Sequence, residues 1–172
     1  GIKKVMEQQA VTSGIIGAVA DIIKVEEKYE TAIETALGGS IQNIVTDTQK
    51  TAKKMIEYLK KNRYGRVTFL PLDAVKGKEF ARKEILLEPG VIGAANQLVI
   101  YDEVYKDLFA SLLGQILVVK DMDAGIKIAN KYHHSVRIVT LDGDSLNRGG
   151  AMSGGAFKNK SNLLGSCLLY TS

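Results

Sequence analysis

Apolar residues recur along the chain with two different spacings. Over residues 29–37 they fall at every third or fourth position, which predicts an amphipathic helix. Gly38-Gly39 follows directly, and glycine commonly ends a helix. The same spacing over residues 52–59 predicts a second helix, for which residues 46–49 (Thr-Asp-Thr-Gln) offer a capping-box start.

Short runs rich in β-branched residues alternate with these helices. We interpret residues 19–25, 41–46 and 66–70 as strands, and we expect Pro71 to stop the third of them. Strands that alternate with helices of about ten residues are typical of an α/β fold. The sequence therefore predicts a mixed α/β chain.

The same order of elements recurs later in the chain. Tyr29 and Tyr105 each stand eight residues before a Leu-Gly pair. After each pair comes an apolar strand that runs into an aspartate, Asp47 or Asp121, and each aspartate opens a helix that leads to another strand. We predict two half-repeats of helix, strand, helix and strand, unless the similarity arose by chance. Residues 76–97, which contain several turn-forming residues, would join them.

Composition places the chain among ordinary globular proteins. It has 172 residues, 45% of them hydrophobic and 24% charged, which suits one domain or two small lobes that share a core. No apolar run approaches the roughly 20 residues of a membrane span, and the first residues do not resemble a signal peptide. Cys167 is the single cysteine, so no disulfide can form within the chain. We expect a soluble, intracellular protein.

Positive charge is concentrated in one part of the chain. The net charge is +4, and nine basic residues but only three acidic ones lie between Asp47 and Lys78. A run of charge is usually the solvated face of a helix. The alternative is a surface that faces phosphates.

The common patterns of catalytic and cofactor sites do not occur. There is no P-loop and no dinucleotide-binding glycine motif. Residues 14–17 (Gly-Ile-Ile-Gly) have the spacing of a nucleotide-clamping loop, but their apolar middle pair favours a buried turn. We interpret His133 and His134 as a helix end, and residues 142–144 (Asp-Gly-Asp) as a turn between strands rather than a cation site. We expect no catalytic residue, no metal and no cofactor.

The most unusual stretch contains two pairs of glycines, Gly149-Gly150 and Gly154-Gly155. One interpretation is a flexible linker. The other follows from position, since the stretch comes after a predicted strand at residues 136–141. Glycines beside a strand permit close approach of another backbone, so a second chain could add a strand here.

In their order and spacing, seven segments resemble the hinge domain of structural maintenance of chromosomes (SMC) proteins, of the prokaryotic chromosome-partition type. The segments are residues 14–23, 29–39, 42–46, 66–73, 112–119, 137–144 and 149–155. The resemblance spans roughly residues 6–160, and it implies two small lobes, each with a sheet and packed helices. It also implies that the hinge lies midway along a longer chain, between coiled-coil arms that return to ATPase heads.

The resemblance further implies the partners of the domain. Two hinges would pair as a ring-shaped homodimer, with the first lobe of each facing the second lobe of the other. Gly149, Gly150, Gly154 and Gly155 would lie at the dimer interface. Non-specific DNA binding would fall to basic residues near the arms, which here are Lys158, Lys160, Lys3 and Lys4. Kleisin-type partners would belong to the longer parent chain, and the protein would act in the cytoplasm on the nucleoid, without a membrane.

Carried over by position, the resemblance divides the chain into six parts. They are an arm stub (1–10), a first lobe (11–75), a connecting region (76–97), a second lobe (98–157), another arm stub (158–165) and a tail that we expect to be non-native (166–172). The tail lacks the charged heptads of an arm. The main alternative to a hinge is a nucleic-acid-binding module in which dimerisation is incidental. A flavodoxin-like enzyme is a third class, but the sequence offers no convergent polar set for it.

Overall fold

The computed structural model describes residues 1–155, which form six α-helices and ten strands. The helices are α1 (Ile2–Glu7), α2 (Glu27–Leu37), α3 (Gln49–Asn62), α4 (Lys83–Leu86), α5 (Lys106–Leu113) and α6 (Met122–Lys131). The strands are β1 (Ile15–Ala18), β2 (Lys24–Val25), β3 (Ile44–Thr46), β4 (Phe69–Pro71), β5 (Val91–Ala94), β6 (Val99–Ile100), β7 (Ile116–Val119), β8 (Arg137–Thr140), β9 (Ser145–Leu146) and β10 (Met152–Ser153). The predicted second arm stub and the tail lie outside the described residues.

The strands form three sheets. One has three strands in the order β1-β3-β4, with β1 antiparallel and β4 parallel to β3. Another has five strands in the order β10-β9-β8-β7-β5, in which only β7 and β8 are parallel. The third is the antiparallel pair β2-β6.

The predicted half-repeats are confirmed, and each is longer than the sequence indicated. The series β1, α2, β3, α3, β4 has the same order and the same strand pairing as the series β5, α5, β7, α6, β8. Even the first strands are alike, since β1 reads Ile-Ile-Gly-Ala and β5 reads Val-Ile-Gly-Ala. We call residues 15–71 the first repeat and residues 91–140 the second repeat.

The two repeats share the largest of the three hydrophobic clusters in the described chain. Ile33 of α2 and Phe109 of α5 are both fully buried in the same cluster of side chains. The sheet β2-β6 takes one strand from each side, with Val25 paired to Val99. Burying apolar area in one cluster stabilises both repeats together.

Hydrogen bonds from Arg137 add a polar link between the repeats. Its Nη1 donates to the carbonyl oxygen of Ala36 and its Nη2 to that of Thr35, each at 3.1 Å. These carbonyls belong to the last turn of α2, where the helix itself supplies no donor. The cation also faces the negative end of the helix dipole.

The predicted strand at residues 19–25 is wrong except at its last two residues. β1 ends at Ala18, Val19–Asp21 form a single 3-10 turn, and only Lys24–Val25 form a strand, β2. The Asp21 carboxylate accepts a hydrogen bond from the Ala18 backbone N–H at 3.3 Å. A local side-chain bond of this kind competes with the sheet for the backbone.

The two following strands are shorter than predicted. β3 begins at Ile44 because Gly38–Gln42 form a 3-10 turn after α2. Pro71 does not stop β4 but lies within it, paired with Thr46 of β3. Proline cannot donate to a sheet ladder, so its presence marks an edge strand.

Both predicted helices of the first repeat are confirmed, as α2 and α3, but the predicted capping box is not observed. The N-cap of α3 is Thr48, whose hydroxyl accepts from the Thr51 backbone N–H at 3.2 Å. Asp121 opens α6 as predicted, accepting from the Ala124 N–H at 2.9 Å.

Three minor predictions have different outcomes. Residues 14–17 are not a buried turn, because Ile15 begins β1. His133 and His134 lie just after α6, with positive φ values of 57° and 55°, and so mark a helix end as predicted. Residues 142–144 form the predicted turn between β8 and β9, in which Gly143 has a φ of 91°.

Candidate interaction surface

The strand β10 forms one edge of the five-stranded sheet. It pairs on one side with β9, Met152 opposite Leu146 and Ser153 opposite Ser145. No strand of the described chain covers its other side. Met152 and Ser153 are exposed. An uncovered edge presents backbone N–H and C=O groups to which another strand can bind.

The four predicted interface glycines flank this edge strand. Gly149 and Gly150 form the turn before β10, with φ values of 84° and 103° that favour glycine. The Gly149 N–H donates to the His134 carbonyl at 3.0 Å. Gly154 and Gly155 follow the strand and are exposed. These residues thus lie in an ordered turn and at the end of an edge strand. This arrangement does not agree with a flexible linker.

The two glycine pairs differ in the space around them. A Cβ atom at Gly149 would have no neighbour within 4 Å. A Cβ atom at Gly154 would overlap the carboxylate of Asp144. A side chain can therefore be added at Gly149 without a clash inside the protomer, but not at Gly154.

The strand β4 is a second uncovered edge. In the repeat it corresponds to β8, whose outer side pairs with β9. Within residues 1–155 no strand takes that place beside β4. The sequence did not predict this edge, because Pro71 was expected to end the strand, although proline in a strand is itself an edge signal.

The opposite edges of the two sheets are less regular. β1 breaks register between Ile15 and Gly17, and β5 between Val91 and Gly93. The Gln9 side chain also donates to the carbonyl oxygens of two β1 residues, at 3.3 and 2.9 Å. Register breaks and covering side chains are common protection of sheet edges. β4 and β10 are therefore the edges best suited to pairing.

A groove lies beside the chain that leads into β4. It has a volume of about 680 Å³ and runs between α3 and residues 65–68. Ile56, 40% exposed, and the buried Leu59 give it an apolar part. Its remaining lining residues are Lys60, Arg63, Gly65, Arg66, Val67 and Thr68. The groove thus combines an apolar surface with three cations.

The predicted DNA-binding lysines are only partly described. Lys3 and Lys4 lie on α1, which contacts α3. Lys3 is exposed, and Lys4 Nζ lies 3.7 Å from a Glu7 carboxylate oxygen and 5.0 Å from the centre of the Tyr64 ring. Lys158 and Lys160 lie outside the described residues.

The lysines of α3 are exposed, which agrees with both interpretations of the basic run. They are Lys50, Lys53, Lys54, Lys60 and Lys61. Lys53 lies 3.9 Å from a Glu57 oxygen.

Charged contacts elsewhere hold elements together. Glu88 accepts hydrogen bonds from Lys131 and Tyr132, which lower the pKa of Glu88. The same carboxylate raises the pKa of Lys131.

Within residues 1–155 no cluster of three or more His, Cys, Asp or Glu residues is arranged to hold a metal ion. No helix of that part is both long and apolar enough to cross a bilayer.

Residues 12–129 match the family model described as the SMC proteins Flexible Hinge Domain. The chain belongs to the SMC hinge family. The hinge is 42% identical over 167 residues to the chromosome partition protein Smc of Bacillus subtilis (strain 168), covering 95% of this chain. It is 44% identical over 171 residues to that of Desulfitobacterium hafniense (strain Y51), covering 96%. The hinge spans 14% of the length of each of these curated relatives.

Solved structures show the same fold. The hinge has a TM-score of 0.90 and 42% identity with an asymmetric dimer of the Geobacillus stearothermophilus SMC hinge domain, covering 99% of this chain and 70% of that one. The TM-score with the Pyrococcus furiosus SMC hinge domain is 0.75 at 33% identity, with 92% and 81% covered. The predicted fold class is thereby confirmed.

Proposed function

We propose that this hinge joins two SMC chains by pairing with a second copy of itself at the edge formed by β10. The observation that carries the proposal is the uncovered β10 strand, flanked by Gly149-Gly150 and Gly154-Gly155. Small residues let the partner backbone come within hydrogen-bonding distance. The similar Geobacillus stearothermophilus hinge, which forms a dimer, supports it.

The partner strand is β4 of the other copy. β4 lacks the neighbour that β9 provides for its counterpart β8. Pairing β4 with the partner's β10 would join the three-stranded sheet of one copy to the five-stranded sheet of the other. Under two-fold symmetry the same contact occurs twice, so the assembly closes into a ring and leaves no uncovered β4 or β10.

The role of the domain would be set by the longer SMC protein to which it belongs. We place it in an SMC protein of chromosome condensation and segregation, acting in the cytoplasm on the nucleoid. The coiled-coil arms, the ATPase heads and any kleisin partner belong to other parts of that protein. The hinge itself would be the non-catalytic point where two such chains meet.

The test uses two substitutions at the same glycine. Gly149→Arg adds a long side chain at the paired edge, whereas Gly149→Ala imposes the same backbone strain at a φ of 84° without the bulk. The parent and Gly149→Ala should sediment as dimers, and Gly149→Arg as a folded monomer with unchanged circular dichroism. If Gly149→Arg sediments as the parent does, the interface assignment is wrong.

Gly154→Arg, a substitution at another of the predicted interface glycines, is a poorer test. Its side chain would meet Asp144 within the same protomer and disturb the β9-β10 pair directly. Loss of the dimer in this variant would therefore have two explanations.

A second function, weak and non-specific DNA binding, is favoured by the exposed cations near α1. Lys3 is exposed, and the neighbouring α3 carries Lys60 and Lys61 in its last turn. Lys60, Arg63 and Arg66 form no ion pair within the described chain. Phosphate contacts made by such residues do not depend on sequence and weaken with salt.

This function is tested by charge reversal in two pairs, Lys3→Glu with Lys4→Glu, and Lys158→Glu with Lys160→Glu. The control pair is Lys106→Glu with Lys127→Glu, exposed lysines of the second repeat. Each test pair should lower the affinity for duplex DNA and flatten its dependence on salt, whereas the control should change both less. Equal binding by parent and both test pairs at low salt would refute the site.

A further inference from the structure

We infer that Met152 is the side chain that anchors the edge of one copy, and that the groove beside β4 of the other copy receives it. The inference rests on the proposed dimer and adds the residue-level contact to it. Met152 is 54% exposed on β10, and Ile56 is 40% exposed in the groove. A dimer that pairs β10 with β4 would remove both apolar surfaces from water at once.

The position of the exposed apolar residues supports this pairing. Seven large apolar side chains of the described chain are exposed, namely Val11, Ile56, Leu87, Ile100, Val104, Ile126 and Met152. Of these, Met152 lies on one uncovered edge and Ile56 faces the groove that runs beside the chain leading into the other. Between Gly149 and Gly155 the remaining residues are Ala151 and Ser153, so Met152 is the only large apolar side chain this edge presents.

The groove suits a methionine in shape and polarity. Its volume of about 680 Å³ exceeds what one side chain needs, and it lies between a helix and a segment without regular secondary structure. Methionine has three rotatable bonds and a polarisable sulfur, so it fills such spaces well. The methionine would lie over Ile56 and Leu59, the apolar part of the lining.

The cations of the groove add specificity. Lys60, Arg63 and Arg66 would repel a basic side chain in place of Met152. Asp144 lies next to Gly154 and accepts from the Gly155 N–H at 3.4 Å, so a carboxylate stands at the end of β10. The end of β10 at Gly154 therefore offers an apolar side chain and a negative charge to a groove that is apolar and positive, whereas the exposed Arg148 precedes the strand.

The experiment is cross-linking between single-cysteine hinges. Cys167→Ser removes the natural thiol, and Ile56→Cys and Met152→Cys are then made in separate chains that carry tags of different size. Mixed and oxidised, or treated with a short bismaleimide, the two chains should form a covalent pair of intermediate mass. Val104→Cys, which is 64% exposed and lies on neither β4 nor β10, replaces Ile56→Cys in the control and should form little of the covalent pair.

The result tests the Met152 contact separately from dimerisation. If Met152→Cys chains cross-link to one another as efficiently as to Ile56→Cys chains, β10 pairs with β10 and the anchor is wrong while dimerisation stands. A dimer by sedimentation without cross-linking of the mixed pair also overturns the anchor. A monomeric parent would instead overturn the proposed function, and the anchor with it.

A second measurement does not depend on cysteines. Met152→Leu keeps an apolar side chain of similar volume and should change the dimer dissociation constant by no more than a few-fold. Met152→Lys places a cation against the three cations of the groove and should raise that constant on the order of tenfold or more. Equal constants for the two variants would contradict the inference.

Discussion

At the scale of single residues, Arg137 connects parts of the chain that are distant in sequence. Its guanidinium donates hydrogen bonds to two carbonyls at the end of α2. In the same region the Thr35 hydroxyl donates to the Gly143 carbonyl of the β8-β9 turn at 3.2 Å. The planar fork of arginine can reach both carbonyls, whereas a lysine presents one compact charge. A link of this kind cannot be predicted from the sequence, because nothing local distinguishes Arg137 from a surface arginine.

Replacement of Arg137 should measure this link. Arg137→Met removes both donors and leaves the carbonyls of Thr35 and Ala36 without them, so we expect a loss of about 1–3 kcal/mol in the free energy of unfolding. Arg137→Lys should lose less. Equilibrium unfolding in urea at a fixed protein concentration measures the change, with the exposed Lys127→Met as control. An Arg137→Met variant as stable as that control would contradict the assignment.

At the scale of elements, the sequence predicted helices better than strands. The helices α2 and α3 present a periodic apolar face over more than two turns, which is enough for a pattern. The strands are two to four residues long, too short to alternate clearly, and tertiary pairing decides their limits. The segment 19–25 is as apolar as a strand, but its first three residues form a 3-10 turn, in which the Asp21 carboxylate accepts from the Ala18 backbone N–H.

The segment before α4 was predicted to join the repeats, and it is also packed on the second one. The Gln115 side chain donates to the carbonyls of Lys78 and Glu79, at 2.9 and 3.2 Å. Gly77 lies against the backbone of Ala110 and Ser111, so closely that a Cβ atom would overlap it. Glycine is needed here for close approach rather than for a turn.

Gly77→Ala should therefore destabilise the protein. The added methyl group meets backbone, which cannot move aside as a flexible side chain can, and we expect a loss of about 1–3 kcal/mol. Gly39→Ala is the matched control, because a Cβ atom there has no neighbour within 4 Å, and its effect should stay under about 0.5 kcal/mol. Thermal unfolding of the two variants compares them, and equal midpoints would show that the segment is loosely attached.

At the scale of the whole molecule, the two repeats are one structural unit. They share a hydrophobic cluster, each contributes one strand to the β2-β6 sheet, and Arg137 of one donates hydrogen bonds to α2 of the other. The sequence predicted their likeness from the two Tyr and Leu-Gly spacings. Composition allowed a shared core, but the repeat pattern did not predict which helices meet in it, since such a pattern carries no information on how the copies pack.

We therefore expect a single unfolding transition. Near-ultraviolet circular dichroism, which reports on tyrosines such as Tyr101 stacked 4.8 Å from Phe109, should change together with the far-ultraviolet signal. In the proposed dimer the midpoint should rise with protein concentration. Two separate transitions would show that the repeats fold independently.

The sequence predicted one of the two edges of the candidate surface, the glycine-rich one, but not the other. Two glycine pairs after a strand are unusual enough in composition to indicate an edge, and the structure places them beside β10. The complementary edge, β4, has no such signal apart from Pro71, because it is defined by a neighbour that is missing rather than by a residue that is present. Comparison of one repeat with the other is what reveals it.

The short length of β10 has a mechanical consequence. It is held to β9 through only two residue pairs, and the chain continues from it through Gly154 and Gly155. Tension applied at Gly155 would break the hydrogen bonds between β10 and β9 one after another. Little of the force would reach the hydrophobic cluster that the two repeats share. A pull on the chain at this point would strip away β10 before it unfolded the rest of the domain.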